Sequence, residues 1–490
     1  MCFDKNRLQK LKNIIAKEIN PYPDNFNITH TLSEVQQLPE GTKDVALAGR
    51  IVSIRKIGKL IFGHLQNFYH KFQFALEKQT IGGDDFDFFC TNIEIGDHLG
   101  IKGDLFRTKT GEFTLKIKTF RLLSKSLLPL PEKWHGLQDK ESRYRKRYLD
   151  LIANKQTREI FKLCIKATTA LRNYLEKNSF VEVFTPAISS VVSGAMATPF
   201  KSHYNVHDLD IYFRIAPETY LKRLIIGGID RIYEFARCFR NEGVSSEHLQ
   251  DFTMVETYAA YWNYQDNMKF AKKMILETIG SATGSTKIDF RGQNIELDKD
   301  WPIISLRELI KMDCNIDIAD CENSAELLAK IRDKKLELEQ PELEVLSKGH
   351  LIDLLYKKFS RPKLTHPVYL TGHPMEISPL ARPNDKDNTL ADRFQILIGG
   401  IELVNGYSEL ADPIRQQSNF EIQSKLRQNG DEEAMIAEES FLEALTYGMP
   451  PTSGLGMGLE RFYLILTNSD NIRDVVYFPF MRRVDSNEKK

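Results

Sequence analysis

Arg240, Glu242, His248, Phe252, Glu256 and Tyr258 all fall within one short segment, FRNEGVSSEHLQDFTMVETY, which spans residues 239–258. Arg240 and Glu242 stand two apart. After the polar, glycine-started GVSSEHLQ, the residues Phe252, Met254, Glu256 and Tyr258 recur at every second position. Side chains alternate faces along a strand, so each set shares one face. The segment therefore reads as two antiparallel strands joined by a long polar loop. Acids and an arginine on a face meant for burial are costly unless they are paired or held against a ligand. Two readings follow, a structural ion-pair network in a large sheet or a site that contacts a ligand.

Three further segments raise the same choice. In PPTSGLGMGLERFYLIL, Gly454, Gly456 and Gly458 alternate ahead of Glu460 and Arg461, which open an apolar helix. Such glycines let a backbone approach a ligand, and an arginine there can meet a phosphate or an adenine ring. A tight strand-to-helix turn has the same pattern. In GGIELVNGYSELADP, Asn405, Tyr407 and Glu409 alternate onto one strand face while Glu402 falls out of phase. Either a bulge near Gly406 realigns Glu402, or Glu402 serves the opposite face. In RIAPETYLKRLIIGG, Glu218 follows Pro217 at the start of a helix-like run, where the helix dipole alone favours a glutamate.

The elements that must position these groups follow from the rest of the chain. At 490 residues, with 42% hydrophobic and 27% charged, there is room for two or three domains. Lysine plus arginine equals aspartate plus glutamate, so any basic surface for a nucleic acid must be local. The six cysteines form no C-x-x-C pair and fit reduced thiols in a cytoplasmic protein. No apolar run approaches the roughly 18 residues of a membrane helix, so no membrane partner is expected. Residues 1–43 read as an amphipathic helix, with Leu8, Leu11, Ile15 and Ile19 on one face, and a lead-in. Residues 44–126 read as a small barrel, from the strands VALAGRIVSI, KLIFGHL, KFQFALE, HLGIKGDLF and GEFTLKIKTF. Phe72, Phe74 and Leu76 are expected inside it, as are Ile61, Leu65, Phe113, Leu115 and Ile117. Phe62, His64, Gln73, Glu112, Lys116 and Lys118 are expected outside. That outer face suits either an OB-fold that stacks and hydrogen-bonds unpaired bases or an ordinary solvated barrel. Residues 127–149, rich in proline and charge, read as a linker, and 150–490 as a mixed helix-and-strand domain. Within it, about 303–360 looks like a mainly helical insertion without a catalytic constellation.

Taken together, these segments resemble the class II lysyl-tRNA synthetases over nearly the whole chain. FVEVFTPAI around Pro186 looks like the family's first motif, FRNEGVSSEHLQDFTMVE its second and GLGMGLER its third. LLPLPEKWHGL looks like the hinge of the subgroup, and GYSELADP and SGAMATPF add lysine-specific context. The resemblance implies an α+β fold, an antiparallel catalytic sheet flanked by helices behind an N-terminal OB-fold barrel. It implies a homodimer joined through the region around Pro186. It implies ATP-dependent activation of L-lysine and transfer to tRNA(Lys), with Mg2+. By the same resemblance Arg240 holds the α-phosphate and the substrate carboxylate, Glu242 reads the adenine edge, and His248 reaches the outer phosphates. Phe252 and Arg461 sandwich the adenine beside Gly456 and Gly458. Glu256, Tyr258 and Glu409 receive the ε-ammonium, in a pocket that Tyr407 also lines. Asn405 contacts the carboxylate, while Glu218 and the Gly194 backbone bind the α-ammonium. Glu402 and Gln395 stand at the metal positions, and Phe62, Gln73 and Glu112 at the anticodon-reading ones.

The match departs at two places. Gln395 stands where the family usually carries a metal-binding glutamate, and HLQDF stands for HNPEF, placing Leu249 near ATP. Gln395 is the support for an alternative, an RNA-binding paralogue with weakened or lost adenylation. An aspartyl- or asparaginyl-type enzyme shares the architecture, but an acidic substrate wants a basic pocket, whereas Glu256 and Glu409 are acids.

Overall fold

The computed structural model describes residues 3–131, 137–191, 197–243, 245–338, 343–428 and 435–482. The chain divides into two compact units, Met1–Lys162 and Leu163–Lys490.

In the first unit five strands close into a barrel in the order β1-β2-β3-β5-β4: β1 Val45–Ile57, β2 Leu60–Gln66, β3 Lys71–Glu77, β4 His98–Arg107 and β5 Phe113–Ser124. The inward set is as the alternation predicts, with Ile61, Leu65, Phe72, Phe74, Leu76, Leu115 and Ile117 buried in one cluster. Gly63 is required here, because a Cβ on it would sit 2.2 Å from the Phe74 ring. Gln73 departs from the expected exposure. It lies on the outer face, yet it is buried beneath its bonds to Glu112 and Thr114.

The N-terminal helix spans Lys5–Ala16, but its inward side runs through Arg7 and Ile14, not Ile15. Ile15 is exposed, and Ile19 lies past the helix end. Arg7 takes the buried position because its guanidinium donates to the carbonyls of Ser126 and Ile95, which turns the helix about its axis so that Ile14 reaches the barrel core.

The second unit is built on an eight-stranded sheet. Its strands are β6 Val181–Glu182, β10 Arg231–Phe239, β11 Asp251–Ala260, β14 Ile303–Ser305, β15 Val368–Thr371, β16 Arg393–Ile398, β17 Ile401–Ser408 and β18 Thr452–Gly458. The order is β14-β15-β16-β17-β18-β11-β10-β6, and all neighbours are antiparallel except β14–β15 and β10–β6. Strands β7 Ile188–Ser189, β8 Lys201–Tyr204 and β9 Leu209–Phe213 form a small sheet of their own, as do β12 Lys287–Phe290 and β13 Gln293–Glu296. Residues 306–363 are mainly helical around a separate apolar cluster.

Two features of the sheet set the site. The first is the 239–258 segment, which is a strand pair with a long loop, as its spacing predicts. Strand β10 ends at Phe239, however, so Arg240 and Glu242 belong to the loop and not to a strand face. The Arg240 N–H still bonds to Gln250 O at 2.9 Å, but the Asn241 N–H turns away to Thr198 O at 2.8 Å. The second is a bulge on β17. Val404 pairs with Ile396 and Glu402 with Leu397, leaving Leu403 as the extra residue. The bulge therefore lies at Leu403, not near Gly406. Gly406 has a different cause, since a Cβ there would meet Phe394 at 2.7 Å and Gly454 O at 2.8 Å.

Candidate active site

Strands β11, β17 and β18 line a cavity of about 370 Å³ together with the 240–250 loop and the helix Glu218–Ile226. Phe252, Met254, Glu256 and Tyr258 all face it, so the period-two pattern of β11 is the wall of one pocket. From β17 come Glu402, Asn405 and Tyr407, with Glu409 just beyond, and from β18 come Gly454, Gly456 and Gly458. Arg240, Glu242, His248, Glu218 and Arg461, which the spacing singles out, and Gln395, which only the family resemblance points to, complete the set. Gly194 lies outside the described residues.

One end of the cavity is acidic. Glu218, Glu256 and Glu409 are all buried. Tyr258 donates to Glu256 Oε2 at 3.0 Å and Tyr407 donates to Glu218 Oε1 at 2.6 Å. Burial pushes the Glu256 carboxyl up to about 8, and the nearby Glu218 adds to it. Burial also raises both phenols well above their ordinary value, which keeps them neutral donors. Glu218 is thus more than a first-turn glutamate. The residue one helical turn on, Lys222, is fully buried with its Nζ 2.6 Å from Glu218 Oε1 and 2.5 Å from Glu409 Oε2.

The other end is cationic and aromatic. The Arg240 guanidinium stands 5.1 Å from the centre of the Phe252 ring. Arg461 is held by Glu402 O at 3.0 Å and by His248 Nε2 at 2.8 Å. Burial, then the neighbouring Arg461 and Arg361, lower His248 to about 4, so its imidazole is neutral and its Nε2 accepts from Arg461. Burial would raise the Glu402 carboxyl, but Arg461, Arg361 and Arg393 outweigh it and hold the group below its ordinary value. Gln395 is buried, and its Oε1 has no hydrogen-bond partner among the described residues. A carboxylate and a free amide oxygen in one cavity fit Mg2+, which takes one or two protein oxygens and fills its shell from phosphates and water. Among the described residues no group of three or more His, Cys, Asp or Glu side chains comes together to cage a metal.

Comparison with known proteins decides the family. The family of class II tRNA synthetases (D, K and N) matches residues 139–482, and the OB-fold nucleic acid binding domain matches residues 45–123. The chain belongs to the class II tRNA synthetases. It is 42% identical to the lysine–tRNA ligase of Thermosipho melanesiensis, over 98% of this chain and 96% of that protein. Identity is 40% to the lysine–tRNA ligase of Thermosipho africanus, over 100% and 97%, and 42% to that of Halalkalibacterium halodurans, over 98% and 97%.

Other residues of this synthetase cavity have no role assigned by the sequence. Arg393 donates to Asn405 Oδ1 at 2.8 Å and to Ile377 O at 2.9 Å, which fixes the asparagine amide. Glu460 accepts the Thr253 N–H at 2.9 Å and so ties the helix Leu459–Leu466 to β11. The helical segment expected to be an insertion contributes His350, Asp353 and Lys357 to the wall. It also joins the sheet through β14. Its polar residues look solvent-facing at helical spacing, and only tertiary packing shows which of them turn inward.

In the barrel, Gln73 Nε2 donates to Glu112 Oε2 at 3.0 Å, and His64 Nε2 lies 3.2 Å from Glu112 Oε1. His64 Nδ1 is 2.7 Å from Ser53 Oγ. Phe62, two positions before His64 on β2, shares their face. No described helix is long and apolar enough to cross a membrane.

Proposed function

We propose that this chain is a lysine–tRNA ligase that activates L-lysine with ATP, releases pyrophosphate and transfers the lysyl group to tRNA(Lys). The observation that carries the reading is the acidic end of the cavity. Three buried carboxylates and two phenols suit a substrate with two ammonium groups and repel an acidic one. The names of the relatives agree with it.

In this reading Glu256, Tyr258 and Glu409 take the ε-ammonium, with Tyr407 beside them. Glu218 and the Gly194 backbone take the α-ammonium. Arg240 and Asn405 hold the carboxylate, whose oxygen attacks the α-phosphorus of ATP. A new P–O bond forms as the bond to pyrophosphate breaks. No side-chain nucleophile is needed, so rate comes from positioning and charge stabilisation. Arg240 meets the charge at the α-phosphate, and Arg461 and Phe252 stack on the adenine, with Gly456 and Gly458 giving its ring room. Glu242 reads the adenine edge and His248 reaches the outer phosphates. Glu402 and Gln395 would hold Mg2+, which offsets phosphate charge when bound. The terminal adenosine hydroxyl of the tRNA then attacks the lysyl carbonyl and AMP leaves.

The barrel face of Phe62, Gln73 and Glu112 reads the anticodon in this account. Val181, Phe184 and Ile188, exposed on either side of Pro186, support a homodimer interface there. The setting is the cytoplasm, where charged tRNA is used.

The test is amino-acid-dependent ATP–pyrophosphate exchange with all twenty amino acids across a magnesium titration, followed by charging of tRNA(Lys). Exchange with lysine alone is expected. Absence of exchange at every magnesium level, in folded protein that still binds tRNA, would overturn the proposal.

A further inference from the structure

Lys222 has no part in the reaction described above, yet it lies behind the acidic end of the cavity with no exposed side-chain surface. Its ammonium bridges Glu218 on its own helix and Glu409 beyond β17. The rings of Tyr407 and Phe441 each lie 5.6 Å from Nζ. The other ionisable groups around it are accounted for. Glu256 and Tyr258 on β11 bond each other. Glu234, opposite Glu256 on β10, is paired with Arg214 at 2.7 Å. Arg223, next along the helix, pairs with Glu438. Three carboxylates therefore face the pocket against one resident cation.

We propose that Lys222 sets the charge of the amino-acid pocket: by neutralising one of the three carboxylates it leaves two to be ionised against the two ammonium groups of lysine as it binds. This rests on the lysine reading of the same site. Without Lys222 the pocket would carry three negative charges against two, and the surplus would be met by a proton. Lys222 touches no substrate atom, so it is a positioning residue. An amino acid with a single ammonium leaves one carboxylate unmatched, so the same count contributes to rejecting neutral side chains.

The test is the pH profile of the lysine KM in pyrophosphate exchange, from about pH 6 to about pH 9, for the wild type, Lys222→Met, Lys222→Gln and Lys222→Arg. Removing a cation raises the affinity of neighbouring carboxylates for protons. Lysine must then displace more protons at neutral pH, and its KM falls only at higher pH. In Lys222→Met the falling limb is expected to move up by about one pH unit, which is about tenfold in KM at neutral pH. The ATP KM should not change. Lys222→Arg should follow the wild type. Lys222→Gln keeps an N–H donor between Glu218 and Glu409 without the charge, and should displace the limb in the same way even if Lys222→Met fails to fold. A wild-type profile in Lys222→Met or Lys222→Gln, or a limb displaced as far in Lys222→Arg, would overturn the proposal. Failure of the wild type to exchange with lysine would instead refute the functional reading beneath it.

Discussion

Gly454 offers the sharpest test of how the pocket is built. It sits directly across from Tyr258 in the β11–β18 pairing. A Cβ added to it would lie 2.4 Å from Tyr258 Cε1, 2.5 Å from Glu409 Oε1 and 2.7 Å from Tyr258 Cδ1. Carbon atoms settle at about 3.5–4.0 Å, so Gly454→Ala must move the phenol and the carboxylate by about 1 Å. Both are buried and hemmed in, and the shift pulls Tyr258 from its 3.0 Å bond to Glu256. Overpacking of this kind costs about 1–3 kcal/mol; because lysine is held only with both groups pushed back against that strain, the cost is about 5- to 160-fold in kcat/KM for lysine. The neighbouring glycines grade the effect. At Gly456 the near atom is Met254 Cε at 2.6 Å, the far end of a flexible side chain, and at Gly458 nothing lies closer than 3.5 Å. Pyrophosphate exchange with separate lysine and ATP titrations should therefore show the lysine KM worst in Gly454→Ala, milder in Gly456→Ala and near wild type in Gly458→Ala. The ATP KM of Gly454→Ala should hardly move. A wild-type lysine KM in Gly454→Ala would refute this account of the pocket.

Four other outcomes are expected. Gln395→Glu restores a carboxylate beside Glu402 and should lower the magnesium concentration for half-maximal exchange several-fold; an unchanged magnesium curve would count against Gln395 as a ligand. Glu256, pushed up to about 8 in the fold, binds a proton that the unfolded chain releases near 4.5, so its contribution to stability is lost as pH rises between those values. Bound lysine keeps the group ionised, so the gain in Tm from lysine should grow from about pH 6 to about pH 8.5, and a gain that shrinks over that range contradicts the assignment. Ornithine, one methylene shorter, should be the hardest natural competitor to exclude, losing only about 1–3 kcal/mol, whereas norleucine should barely react; equal rejection of both would be inconsistent with charge selection. Phe184→Glu should shift the protein toward monomer in sedimentation, and an unaltered dimer would move the interface elsewhere.

What the sequence made legible is the part governed by local periodicity. The barrel strands and their inward residues follow from alternation, as does the pocket-facing set on β11. What it hid depends on neighbours. The β17 bulge at Leu403 is a property of its register against β16, so no pattern within β17 alone could place it. The spacing of Arg240 fits a strand, while the bond from Asn241 to Thr198 that ends the strand comes from a distant segment. The spacing of Glu218 and Lys222 is that of an ordinary surface ion pair on a helix. Only the approach of Glu409 from just beyond β17 turns it into a buried triad. The helical stretch after β14 gave no hint of His350, Asp353 or Lys357 because the cavity reaches them from outside their own helices.

The β11 strand works as a ruler. Phe252 and Tyr258 are six positions apart on one face, about 20 Å at the rise of an extended strand. The aromatic end and the acidic end are thus separated by rigid, hydrogen-bonded backbone rather than by a loop. In the proposed reading, changes at Glu256, Tyr258 and their β17 neighbours rewrite which side chain is accepted without disturbing the end assigned to the nucleotide. An insertion or deletion anywhere between Phe252 and Tyr258 would put both ends out of register at once. Such a scaffold allows substitution freely and length change hardly at all, so new amino-acid specificities are open to it through point changes at the far end of one strand.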